Sequence, residues 1–277
     1  MLRLLNIELY KLWNNRMVKV MIFLYFGLLS LLVLLSSIRI SFGMFTLDLA
    51  SEGIFDFPLI WNITTFTASW FKVFLAIIVV NSVTMEYSGR TLKQNLIDGL
   101  SKREFMLSKF YGLVFFALTS TLFVYIMSTV LGLVYSREDM MEYYWNETLL
   151  LPAYFIKHVC FLSIFMFVGF LVKKSAISLG VVFVWFVLEF VGIQMTHFKY
   201  DMPELASQLR EIMPLHSPYF LTPEPISRFE TMQRAGEALG STVEAYNLPS
   251  FKNFAVSIGW TIIFALGSLG LLRKRDL

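Results

Sequence analysis

Cysteine, histidine and charge are all scarce in this chain of 277 residues. The one cysteine, Cys160, excludes an intrachain disulfide, and its place inside an apolar run reads as a small core hydrophobe. Three histidines, His158, His197 and His216, lie far apart and lack metal-ligand spacing, so no metal site is expected. Neither G-x-S-x-G nor H-E-x-x-H occurs, and there is no G-x-x-x-x-G-K-[ST] phosphate loop. An enzyme therefore has no constellation to work with, and the chain has no recognisable means of binding ATP for itself. Charged residues make up only 16%, against 57% hydrophobic and 17% aromatic, which excludes an ordinary soluble surface.

Long apolar runs take the place of these features. About 20 residues are needed to cross roughly 30 Å of hydrocarbon. Six runs qualify: Val20 to Ile38, Ile63 to Thr84, Phe110 to Val134, Leu150 to Val172, Ser175 to Thr196 and Phe254 to Leu272. The expected fold is an all-α integral membrane protein with six transmembrane helices, a single transmembrane domain over 1–277. Trp61, Trp70, Tyr111, Tyr135, Trp145 and Trp260 lie near run ends, as an aromatic belt would place them.

Before the first run, residues 1–19 read as an amphipathic helix lying in the membrane interface. At 100° per residue, Leu2, Leu5, Leu9, Leu12, Trp13 and Met17 share one side, while Arg3, Glu8, Lys11, Asn14 and Asn15 share the other.

Basic residues give the orientation. Four precede the first run, five lie in 85–109, two (Lys173 and Lys174) form the tight turn between the fourth and fifth runs, and three close the chain. These are 14 of the 23 Lys and Arg, and only 5 of the 20 acids accompany them, so both termini are expected to be cytoplasmic. The same topology accounts for the positive charge without a nucleic-acid partner. An enlarged outer segment, 197–253, then lies between the fifth and sixth spans. Six of the eight prolines fall in it, Arg228 to Leu239 is expected to be helical behind a Ser227/Glu230 capping box, and IMPLHSPYFL is apolar enough to pack on or dip into the membrane.

The stretch 85–109 is the centre of this organisation. Thr91 to Ile97 is predicted to form a short helix with Leu92 and Leu96 on one face, ended by Gly99, and Ser101 with Glu104 makes a capping box for the next helix. A capped cytoplasmic lever that meets a soluble partner and an ordinary solvated connector both fit this spacing.

Ionisable groups inside spans form a second signal, because one at the bilayer centre costs at least ~2.5 kcal/mol unless paired or wetted. Lys72 is 14 residues from Glu86 and Glu189 is 15 from Lys174, so at about 1.5 Å per residue the two sit at equal depth, with Lys157 and His158 at the same level. A Lys72–Glu189 salt bridge and independent snorkelling to the outer interface are the two readings. Asn81, Ser82, Thr84 and Gln194 are expected either to hydrogen-bond between helices or to touch cargo.

These features resemble a membrane subunit of the type-2 ATP-binding-cassette (ABC) transporter family. The resemblance rests on N-I-E-L-Y-K-L with Glu8 and Lys11, on the second span running into Glu86, Gly89, Arg90 and Thr91, on G-L-S-K-R-E-F with Ser101, Lys102, Arg103 and Glu104, and on the closing LLRKRDL. It implies a permease of a bacterial inner membrane that pairs with a second permease chain, with membrane lipid around it and ABC ATPase subunits below. It also implies that the segment after Glu86, including Asn95, is the coupling helix, that the interfacial helix lies beside it, and that ATP and Mg are cofactors of the partner rather than of this chain. The expected function is movement of an unidentified cargo in an ATP-driven exporter. The alternative is a non-transporting scaffold or mechanical transmitter linking the ATPase to an outer partner at 197–253.

Overall fold

The computed structural model describes residues 2–36, 40–42, 45–47, 53–89, 91–97, 99–228 and 247–274. Arg90 and the helix expected at 228–239 lie outside the described residues, apart from Arg228 itself. The architecture is helical: α1 Leu2–Trp13, α2 Arg16–Ser36, α3 Leu59–Trp70, α4 Lys72–Ser88, α5 Thr91–Ile97, α6 Lys102–Tyr135, α7 Leu150–Val172, α8 Ser175–Phe198, α9 Pro203–Ile212 and α10 Phe251–Lys274. One short antiparallel pair, Ile40–Phe42 with Phe45–Leu47, follows α2.

Among the described residues four helices, α6, α7, α8 and α10, are individually long and apolar enough to cross a membrane. Two bent pairs, α1 with α2 and α3 with α4, raise the number to six if each counts as one span. The first pair turns through 92° at Asn14 and Asn15, so α1 lies across the end of the bundle. Asn14 bonds back to the Tyr10 carbonyl, and the Asn15 carboxamide accepts from the Met17 backbone, which caps the incoming α2.

The run expected as one continuous span, Ile63 to Thr84, is broken. The α3 and α4 axes differ by 45° at Phe71. No glycine or proline lies at the bend. Instead Thr64, Thr65 and Ser69 turn their hydroxyls back onto carbonyls four residues earlier, a pattern that bends helices, and Phe71 bonds only three residues back, to Ala68. The break places Lys72 at the first turn of α4.

Helix α7 is the hub, packed against α3, α4, α6, α8 and α10. Tyr154 on it bonds Ser120 of α6 at 2.8 Å and Tyr25 of α2 at 3.0 Å, while His158 Nε2 is buried without a hydrogen-bond partner among the described residues. A separate aromatic cluster fills the end opposite α1. There Trp61 is fully buried against Phe57, Tyr125 and Tyr144, and donates to the Tyr144 carbonyl at 2.9 Å. The belt position expected for Trp61 is thus corrected, because its indole N–H finds a protein acceptor rather than an interface.

At that same end Asp56 clamps Arg137, accepting from its backbone N–H at 3.0 Å and its Nε at 2.8 Å. The segment after α9 turns inward. Leu215, His216, Ser217, Leu221 and Thr222 are buried against α7, α8 and α10, so the stretch 212–221, expected to pack on or dip into the membrane, folds in part into the helix bundle.

Candidate coupling site

The end of the bundle that carries α1 and α5 also carries most of the basic residues, and four elements meet there around one buried lysine. Lys109, on the second turn of α6 and 3% exposed, donates to both carboxylate oxygens of Glu8 at 2.9 and 2.8 Å and to Glu86 Oε1 at 3.0 Å. Glu8 belongs to α1 and Glu86 to the last turn of α4; both are buried. Lys11, one turn along α1, donates to the same Glu86 oxygen at 3.0 Å from a half-exposed position. The second oxygen, Glu86 Oε2, accepts from the Thr91 hydroxyl at 2.5 Å and the Asn95 carboxamide at 3.0 Å, both on α5. Two lysines and two glutamates leave the cluster formally neutral, and every carboxylate oxygen in it has a donor.

Local sequence explains each placement. Helix α5 is seven residues long, and Leu92, 3% exposed, fastens it to the core beside Leu96. The left-handed region needed to leave it is supplied by Gly99 at φ +96°, which a side chain would make costly. The expected capping box then opens α6: Ser101 Oγ accepts from the Glu104 backbone at 3.2 Å, while the Glu104 carboxylate accepts from the Ser101 backbone at 2.9 Å. Because α4 runs to Ser88 and α6 starts at Lys102, the connector itself is short, and α5 is held against α4. Close approach of α1 to α6 occurs at Gly112, where an added Cβ would lie 3.2 Å from Glu8 Cγ.

Of the residues picked from the sequence, Glu8, Lys11, Glu86, Thr91 and Asn95 are brought together. Gly89 closes α4 by donating to the Met85 carbonyl at 2.8 Å, Lys102 reaches the Arg273 carbonyl at 3.5 Å, and Arg103 is exposed. One expectation is reversed: Glu8, placed on the polar side of α1, faces the bundle with Leu12, while Ile7, Tyr10 and Trp13 are the exposed face. Helical periodicity alone sorts polar from apolar, and a buried counter-ion overrides it. The charge count alone assigns Lys109 no role beyond orientation. The signal available in its sequence was its position among Phe105, Met106, Phe110 and Leu113, which makes it a lysine on an apolar face, with Gly112 leaving room beside it.

The intramembrane group divides differently from the expectation. Lys72 and Glu189 do not pair. Glu189 instead holds the inward segment, accepting from the Leu215 backbone at 3.2 Å and contacting His216 Nδ1 at 3.0 Å, with Phe186 stacked on the His216 ring at 5.1 Å. Lys72 lies over the rings of Phe161 and Tyr219 at 4.2 and 5.1 Å, buried rather than snorkelling. Equal depth fixed the level but not the azimuth around each helix. His158 is buried with Nδ1 2.9 Å from the Tyr154 carbonyl. Asn81, Ser82 and Thr84 bond within α4, to Met85, Val79 and Asn81, rather than across helices, and Gln194 is half-buried on α8.

A family model described as "ABC-2 family transporter protein" matches residues 36–273, most of the chain, and the chain therefore belongs to that family. It is a type-2 ABC transporter membrane permease subunit and a multi-pass membrane protein. No curated protein matches it. The matched range takes in Glu86, Thr91, Asn95 and Lys109 but begins after α1, so the part played by Glu8 and Lys11 rests on their geometry.

Proposed function

We propose that this permease subunit works in ATP-driven export, with α5 as the element that docks on a separate ABC ATPase and the Lys109 cluster as the joint that passes the ATPase stroke into the membrane. In this reading the basic end and both termini lie in the cytoplasm, the membrane is a bacterial inner membrane, a second permease chain completes the pathway, and ATP and Mg bind in the partner.

The observation that carries the proposal is the double use of Glu86. One oxygen is bound to α5 and the other to α1 and α6, so α5 cannot move without loading three other helices. On its far side α5 exposes Ile97, at 78%, together with Lys93. An exposed isoleucine beside a lysine suits insertion into a groove with an acidic rim better than contact with water.

A mechanical transmitter would need a face projecting from the opposite end for an outer partner. The inward fold of Leu215 to Thr222 among α7, α8 and α10 favours transport instead.

Co-purification tests the proposal. Wild-type chain, extracted from its native membrane, is expected to bring down an ATPase. Ile97→Asp with Arg103→Glu is expected to lose it at unchanged membrane insertion. Absence of any ATPase from the wild-type preparation would overturn the coupling role.

A further inference from the structure

Between α4, α7 and α8 lies a cavity of about 420 Å³, inside the ~300–1,000 Å³ range typical of small-molecule sites. Its wall is apolar apart from Ser69, Tyr219 and two lysines, Lys72 and Lys157. Both lysines are buried, at 9% and 1% exposure. They converge on one ring: each Nζ is 5.1 Å from the Tyr219 centroid. Lys157 also donates to the Thr222 hydroxyl, and Lys72 lies over Phe161. Neither lies within ion-pair distance of a carboxylate among the described residues; Glu189 binds His216 and Leu215 through Oε2, and its Oε1 has no hydrogen-bond partner.

Two buried lysines side by side without a counter-ion are costly to keep charged, and rings and a hydroxyl recover only part of the lost hydration. The remaining walls are hydrocarbon, and the cavity reaches the surface beside Trp70, Val73 and Phe183, which are 69%, 50% and 67% exposed on what is the lipid-facing side of a membrane bundle. A second, more polar cavity of about 670 Å³ adjoins it at Phe66, Phe186 and Tyr219 and leads toward the end opposite α5.

We propose that this cavity binds an anionic amphiphile: a carboxylate or phosphate head between Lys72 and Lys157, and an acyl chain against Phe161, Phe165 and Phe183, entering laterally past Trp70. The head supplies the missing negative charge, and the tail matches walls that hold almost no polar group. The occupied cavity gives the export reading its cargo class, and for the word cargo it rests on that reading; binding itself does not.

Trp70 reports occupancy. The full chain in phosphatidylcholine nanodiscs, with whatever partner co-purifies, is titrated with dibromostearate, with its neutral methyl ester and with brominated phosphatidylglycerol while tryptophan emission is followed. The acid is expected to quench saturably at concentrations about tenfold lower than the ester, which partitions into the bilayer without needing the lysines. The saturable component is expected to be absent in Trp70→Phe, and Lys72→Met is expected to weaken it by about tenfold. Saturable quenching by phosphatidylglycerol identifies a phospholipid head; quenching by the fatty acid alone identifies a carboxylate. Equal saturable quenching by acid and ester, or a saturable component that survives Trp70→Phe, overturns the proposal without recourse to any variant that disturbs folding. Loss of the ATPase partner with acid-selective quenching retained would overturn the transport reading and leave the site standing.

Discussion

Lys109 and Glu8 form a 2.8 Å ion pair in which both side chains are almost wholly buried, joining the helix that lies across the bundle to one that crosses it. Breaking such a pair leaves an uncompensated charge, which costs about 3–5 kcal/mol, more than an exposed pair is worth. Lys109→Met strands Glu8, leaves Glu86 to Lys11, Thr91 and Asn95, and is expected to lower the unfolding midpoint in detergent sharply. Glu8→Gln added to Lys109→Met removes the excess negative charge, and the double variant is expected to be more stable than Lys109→Met alone; a further drop would show that the two residues act independently.

Thr91→Val with Asn95→Ala removes both α5 donors to Glu86 Oε2 while leaving Leu92, Lys93 and Ile97 in place. Each charge-assisted bond is worth about 1.5–3 kcal/mol. The expected outcome is a complex that still assembles with its ATPase but whose hydrolysis is no longer stimulated by cargo. Loss of assembly would place these residues in the docking face rather than in the joint.

Gly112 sets how closely α1 can approach α6, because a Cβ there would stand 3.2 Å from Glu8 Cγ. A few tenths of an ångström separate that from ordinary contact, so Gly112→Ala is expected to be mild. Gly112→Leu is expected to lift α1 away and to match the loss of stability seen in Lys109→Met, as read by thermal unfolding and by protease access at residues 14 and 15.

Glu189 anchors the inward segment through the Leu215 N–H and His216. In a Cys160→Ser background, Leu215→Cys is expected to resist aqueous maleimide, since Leu215 is 4% exposed. Adding Glu189→Ala releases both contacts and is expected to speed labelling by at least about tenfold, a 1.4 kcal/mol change in opening. Unchanged labelling would mean that packing alone holds the segment.

Sidedness is checked in the same cysteine-free background. Lys174→Cys, at the tight turn between α7 and α8, is expected to react only when reagent reaches the cytoplasm, and Trp145→Cys, 74% exposed, only from the outside. The reverse pattern would invert the topology and place α5 away from any cytosolic ATPase.

Much of this was legible beforehand. Runs of about 20 apolar residues are sufficient by themselves to mark membrane-crossing helices, and Gly99, Ser101 and Glu104 mark the end of α5 and the start of α6 through local hydrogen bonds between residues at most three apart. The pairing partners were not legible. Glu8 and Lys109 are separated by 101 residues and Glu189 and His216 by 27, and no local pattern states which side of one helix meets which side of another.

The amino-acid sequence determined that the chain lives in a membrane, carries its positive charge at one end and has a short capped helix between its second and third apolar runs, because hydropathy, charge bias and capping act within a single element. Only the tertiary structure decided that Glu8 turns inward, that the second run breaks at Phe71, and that Lys72 sits beside Lys157 rather than Glu189. A buried charge settles where packing brings its partner, and packing depends on the azimuth of every helix at once.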